Sequence, residues 1–132
     1  MKEPIWIDKE QVLAIHARQI AEHGGSSGVR DNGLLESALG RPQNLLAYSE
    51  TPPSLVRLAA AYAFGIARNH PFVDGNKRTA LVLSFTFLML HGIVITAPRE
   101  DRYFIFYDLA AGHVSEEELT AWFEKNSAPV AR

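Results

Sequence analysis

Cysteine is absent from the 132-residue chain, and with it go disulfide frameworks, thiol catalysis and cysteine-based zinc sites. Long hydrophobic runs are missing too: the longest, around Ala80 to Leu90, falls far short of the roughly 20 residues that a spanning helix needs. The opening Met1-Lys2-Glu3-Pro4 lacks the apolar stretch of a secretory leader. Charge of one sign is not in excess. With 13 basic and 15 acidic residues the formal net charge is -2, so no global field draws the chain to nucleic acid or to an anionic membrane. Any phosphate site must therefore be local. No Gly-x-x-x-x-Gly-Lys-(Ser/Thr) element occurs, which excludes a P-loop as far as a motif can. We expect a soluble cytoplasmic protein with no direct nucleic-acid or membrane partner.

What the chain does have is apolar content, 47% of its residues with 10% aromatic, enough for one core in a domain of about 100–150 residues. Helical signals run through it. Asp8 pairs with Gln11 as a capping box, flanked by Ile7 and Val12 as a staple, and predicts a first helix to about Glu22. His23-Gly24-Gly25-Ser26-Ser27-Gly28 breaks it. Asp31 caps a short second helix that Gly40 and Pro42 should end at Leu39, leaving 41–53 irregular. In the third helix, Leu55, Leu58, Ala59, Tyr62, Ala63 and Ile66 keep the spacing of one buried face, and Pro71 sets its end near Asn69.

A fourth helix is predicted from Asn76 to His91-Gly92. Between Ala80 and Leu90 only Ser84 and Thr86 are polar, so this helix is expected to be the central one. Ile93-Val94-Ile95 reads as a brief extended link, Pro98 to Ala111 as a fifth helix, and Ser115 with Glu118 as the capping box of a sixth. The expectation is an all-α, single-domain bundle of about six helices over residues 1–126, with a frayed tail at 127–132.

Chemistry is concentrated between the third and fourth helices, in His70-Pro71-Phe72-Val73-Asp74-Gly75-Asn76-Lys77-Arg78. A helix N-terminus carries unsatisfied N–H groups and partial positive charge, which suits the backbone from Gly75 to Arg78 to a phosphate. Glycine at 75 allows close approach. Lys77 and Arg78 have the wrong sign for the first turn of a helix unless an anion sits there. Asp74 is either a cap or a hard oxygen ligand for magnesium beside that phosphate. His70 is the one evident proton acceptor, and imidazole ordinarily titrates near neutrality, as a general base requires. Phe72 reads as a core aromatic that anchors the loop. Taken singly, His-Pro and Asp-Gly-Asn are also common turn elements. His16, His23, His91 and His113 show no metal-ligand spacing.

The segment His70 to Arg78 resembles the signature loop of Fic/Doc proteins, His-x-Phe-x-(Asp/Glu)-(Gly/Ala)-Asn-(Gly/Lys)-Arg, at all nine positions. The stretch Arg30-Asp31-Asn32-Gly33-Leu34-Leu35-Glu36-Ser37-Ala38 and the Ala67-Arg68-Asn69 lead into the loop extend the likeness over most of the chain. The resemblance implies the Fic/Doc helical fold. It implies His70 as base on a target hydroxyl, Asp74 as the magnesium ligand, Gly75, Asn76, Lys77 and Arg78 around the phosphates, and a target-aligning flap near Tyr48 to Pro53. Arg68 is an accessory candidate, for which neutralising the end of the third helix is an equally good account.

Within the family, Lys77 stands where AMP-transferring members have glycine, and Leu81 where they have a second arginine. Both choices resemble the death-on-curing (Doc) type, whereas Gly75 fits either branch and Val82 departs from the polar residue some Doc proteins carry. The resemblance then implies a toxin kinase using ATP and Mg2+ to phosphorylate a threonine of a translation factor, elongation factor Tu, with a Phd-like antitoxin as partner. The alternatives are an AMP transferase and a catalytically silent phosphate- or antitoxin-binding module. Against the last, phosphate binding alone needs neither a base nor a metal ligand.

Overall fold

The structure, a computed structural model, describes residues 3–130. Six helices succeed one another: α1 (Lys9–His23), α2 (Asn32–Tyr48), α3 (Leu55–Asn69), α4 (Asn76–Leu90), α5 (Arg99–Ala111) and α6 (Glu116–Lys125). Both expected capping boxes form, Asp8 with Gln11 and Ser115 with Glu118. Ile7 and Val12 are buried on either side of the first. No described helix is long and apolar enough to cross a membrane.

Three expectations are corrected. The second helix does not stop at Leu39 but continues through Pro42 to Tyr48, so that the irregular stretch shrinks to the link before α3. A proline inside a helix costs about 3 kcal/mol, yet Leu35, Ala38, Leu39 and Pro42 are all buried along one face of α2. Packing of that face on α3 outweighs the missing backbone hydrogen bond.

The central helix is α3 rather than α4. Ten residues of α3 are buried, and it packs against α2, α4, α5 and α6. Its small residues, Ala59, Ala60, Ala61, Ala63, Gly65 and Ala67, let neighbours close in from every side. The equally apolar α4 leaves Met89 and Leu90 exposed. An unbroken apolar run marked α4; side-chain size decided the centre.

The tail expected to fray is paired. Ile93–Ile95 forms β1 and Ser127–Pro129 forms β2, antiparallel, with Ile93 opposite Pro129, Val94 opposite Ala128 and Ile95 opposite Ser127. Thr96 N–H to Asn126 O at 2.7 Å and Val130 N–H to Gly92 O at 2.8 Å extend the ribbon. Ser-Ala-Pro has no strand periodicity of its own; the free edge of β1 recruits it. Ala131 and Arg132, also expected to fray, lie outside the described residues.

The core holds Tyr62, Phe72, Phe87, Phe106 and Phe123, all fully buried. The Tyr62 hydroxyl accepts from Ile7 N–H at 3.1 Å and donates to Ile7 O at 3.3 Å. Burial raises its pKa above that of an ordinary phenol, and the bond to Ile7 opposes this in part. Buried Glu116 receives Arg41 of α2 and Arg57 of α3, tying α6 to both.

At Gly65 the α2–α3 contact has no slack: an added Cβ would lie 2.9 Å from Ala38 Cβ and 3.0 Å from Ala38 Cα. Gly65→Ala should therefore lower the melting temperature, although alanine favours an isolated helix by about 1 kcal/mol. A thermal melt decides it; an unchanged or higher midpoint would mean that α2 can retreat freely.

Candidate active site

Between α3 and α4 the chain reverses direction in six residues, 70–75. His70 closes α3 in the left-handed conformation, φ 49° and ψ 55°, with its N–H on Ile66 O at 3.3 Å. It is the one non-glycine residue with positive φ among the described residues, a backbone state that costs about 1–3 kcal/mol and persists only where its surroundings hold it.

Several contacts supply that hold. Phe72, 1% exposed, plugs the core and stacks on His16 of α1, ring centroids 3.8 Å apart and planes 6° from parallel. His16 Nε2 lies 2.8 Å from Asp74 O; since a carbonyl only accepts, Nε2 carries the proton and donates. The Asn76 carboxamide closes the turn, accepting from Phe72 N–H and donating to Phe72 O, both at 3.0 Å. Residues 28–31 form a strap on the other side: Arg30 and Asp31 N–H both reach Pro71 O, and Val73 N–H reaches Gly28 O.

The loop delivers the chain to α4 with its first turn open. Gly75 is the N-cap at φ 78° and ψ 18°, no side chain caps the helix, and its first turn contains no acid. Glycine suits the positive φ there, and an added Cβ would stand 3.1 Å from Ile20 Cδ1, the flexible end of a side chain that would have to give way slightly. Exposed Lys77 and Arg78 add charge to the positive end of the helix dipole. The result is a cleft of about 250 Å³ lined by Asp74, Gly75, Asn76, Lys77, Arg78 and, from α5, Tyr103. Lys77 Nζ sits 5.6 Å from the centre of the Tyr107 ring, so α5 forms the opposite wall. Uncapped N–H groups with two cations in the same first turn favour an anion there, with Asp74 the one acid at the cleft's edge.

Asp74 is exposed at the mouth of this cleft. Its carboxylate accepts from Gly75 N–H at 2.8 Å and from Ser26 N–H at 3.3 Å. Gly25 presses so close that a Cβ there would come within 2.6 Å of Oδ2. Among the described residues no three acidic or histidine side chains gather to hold a metal. A single hard carboxylate beside an anion-favouring cleft is a donor that magnesium could use, since that ion keeps several waters and needs few protein ligands.

Thus the structure brings Asp74, Gly75, Asn76, Lys77 and Arg78 together and sets His70 apart from the cleft lining, exposed at the start of the loop. The Asn76 side chain is spent on Phe72, so of this residue only the backbone N–H is left for an anion. Arg68 lies elsewhere: its guanidinium stands 5.0 Å from the Phe64 ring centre and lines a separate cleft with Arg41 and Gly112. His16 was weighed in the sequence only as a metal ligand. The signal for its real place was its register, four residues after Val12 on the buried side of α1.

Comparison with known proteins adds a family. The Fic/DOC family model matches residues 6–88, the span from before α1 into the last turn of α4 that contains the whole loop. The chain is 45% identical over 92 residues to Toxin Doc of Mycolicibacterium smegmatis, covering 70% of this chain and 68% of that one. It is 38% identical over 89 residues to Protein kinase doc of Escherichia phage P1, covering 67% and 70% respectively.

If His16 supports the loop by donating to Asp74 O, its substitutions should separate. His16→Leu removes the donor and should cost about 1–3 kcal/mol, whereas His16→Gln, which keeps an N–H at similar reach, should lose distinctly less. Urea unfolding of the two variants checks this; equal losses would show that the hydrogen bond contributes nothing.

Proposed function

Because the chain belongs to the Fic/DOC family, we propose that it is a Doc-type toxin kinase, transferring the γ-phosphate of ATP to a threonine hydroxyl of a translation factor, elongation factor Tu, and so arresting translation. The observation that carries this reading is the α4 N-terminus, uncapped and bearing Lys77 and Arg78, with apolar Leu81 one turn further on. The phage relative's name, a protein kinase, supports it.

The chemistry follows from the loop. A target hydroxyl approaches from solvent, where His70 is exposed. His70 accepts its proton as the oxygen attacks the γ-phosphorus; the bond from that phosphorus to the β–γ bridging oxygen breaks, and ADP leaves. Negative charge developing on the transferred group meets the backbone N–H groups of Asn76, Lys77 and Arg78 and the two cationic side chains. Asp74 would hold magnesium, whose part is to neutralise phosphate charge.

Orientation of the nucleotide follows from the same residues. Phosphates running along the helix N-terminus in an AMP-transfer pose would meet Lys77 in their path and find no charge at Leu81 to hold their far end. The opposite pose sets the most highly charged end of ATP against Asn76, Lys77 and Arg78. Control by a Phd-like antitoxin belongs to the same proposal: the mycobacterial relative is named a toxin, and the exposed rings of Tyr103, Phe104 and Tyr107 on α5 offer an amphipathic segment an apolar surface.

Incubation of the purified protein with cell extract and ATP labelled at the γ or the α position tests the reading. Label should pass to protein from the γ position alone; transfer from the α position would make the protein an AMP transferase, and none from either a binding module. In the same assay His70→Ala and Asp74→Ala should each abolish transfer with little change in melting temperature, both side chains being exposed. Full transfer by either variant would overturn the assigned roles.

A further inference from the structure

The left-handed backbone at His70 is opposed twice by local chemistry. Left-handed helix caps favour glycine or asparagine, and histidine has a Cβ that this conformation crowds. A residue preceding proline is in addition pushed toward extended backbone, and Pro71 follows directly. Free of tertiary contacts, His70 would leave this state and carry its imidazole elsewhere.

One side chain bonds directly to the carbonyls on which the conformation depends. Arg30 Nε donates to His70 O at 2.7 Å, and Arg30 Nη2 donates to Asn69 O at 2.9 Å. These are the final carbonyls of α3 and its cap, groups that a helix terminus leaves without intrahelical partners. The planar fork of guanidinium spans two neighbouring acceptors at once, and its charge lies at the negative end of the α3 dipole. The same residue's N–H reaches Pro71 O at 2.7 Å, so Arg30 touches three consecutive carbonyls, 69 to 71. Its side chain is exposed, away from the core that stabilises the fold.

We propose that Arg30 is a positioning residue for His70, holding the carbonyls of Asn69 and His70 so that the imidazole is presented to the target hydroxyl. This rests on the kinase reading for its consequence in catalysis, but not for its consequence in conformation. The proton acceptor and its clasp come from different parts of the chain, and the clasp fixes backbone rather than touching substrate.

The test compares the wild type with Arg30→Ala and Arg30→Lys, measuring melting temperature, kcat and KM for ATP in the γ-label assay, and the backbone carbon NMR shifts of His70, which report its φ and ψ. For Arg30→Ala we expect kcat to fall roughly 10- to 100-fold, the scale of a misplaced catalytic group, with KM for ATP little changed. The His70 shifts should move toward extended values while those of His91 and His113 stay. Arg30→Lys, which keeps the charge and one donor, should lie between. His70 shifts or a kcat that do not move in Arg30→Ala would overturn the proposal, as would a general loss of melting temperature with every histidine shifting together. Should the wild type transfer no label, the kinase reading fails by itself, and the His70 shifts alone decide the role of Arg30.

Discussion

The stack of Phe72 on His16 is the contact on which the rest of the site depends. It joins the loop between α3 and α4 to α1, two elements far apart in sequence, through rings 3.8 Å apart. With Phe72 seated, Asn76 can close the turn on its backbone, His16 can donate to Asp74 O, and the strap at residues 28–31 can pair along the other side. Each of these bonds is modest alone. Together they over-determine a six-residue reversal that contains an unfavourable left-handed histidine and a glycine cap.

Rigidity of the loop serves an electrostatic arrangement that does not favour the protein by itself. An uncapped helix N-terminus, two cations in its first turn and no acid there repel one another until an anion arrives. The offsetting stability comes from elsewhere, from α3 with its small residues gripped on all sides, and from buried Glu116 binding arginines of α2 and α3. A firm scaffold and an unbalanced cleft are complementary: the first holds the unsatisfied N–H groups in place, and the second favours an anion beside them. The cleft also draws a wall from α5, through Tyr103 and Tyr107, beyond the span that the family model matches.

Much of this was legible in the sequence, because its signals are local. Capping boxes at Asp8 and Ser115 set two helix starts correctly, since a cap needs only a side chain and an N–H three residues away. Pro71 set the end of α3, and the density of polar groups at Asp74, Gly75, Lys77 and Arg78 marked residues that line one cleft, since neighbours along a short loop and helix start stay neighbours in space. The same locality explains the failures. Pro42 ends a helix by its own chemistry, and only the burial of its face against α3 overrides it. The stretch after Asn126 has no strand pattern and becomes one because β1 offers an edge.

By itself, then, the sequence determined that the chain is helical, where its helices begin, and that a dense polar segment spans the α3–α4 loop and the first turn of α4, all properties written in neighbours along the chain. Tertiary structure alone decided that α3 is central, that the Asn76 side chain is spent on Phe72, that Arg68 stands apart, and that His16 and Arg30 hold the two ends of the loop. Those outcomes depend on which surfaces meet in space: His16 lies 58 residues from the Asp74 carbonyl it supports, and Arg30 lies 40 from the His70 carbonyl it grips. No periodicity or spacing encodes such pairs, because a hydrogen bond between distant segments forms only after the packing of whole helices has brought donor and acceptor together.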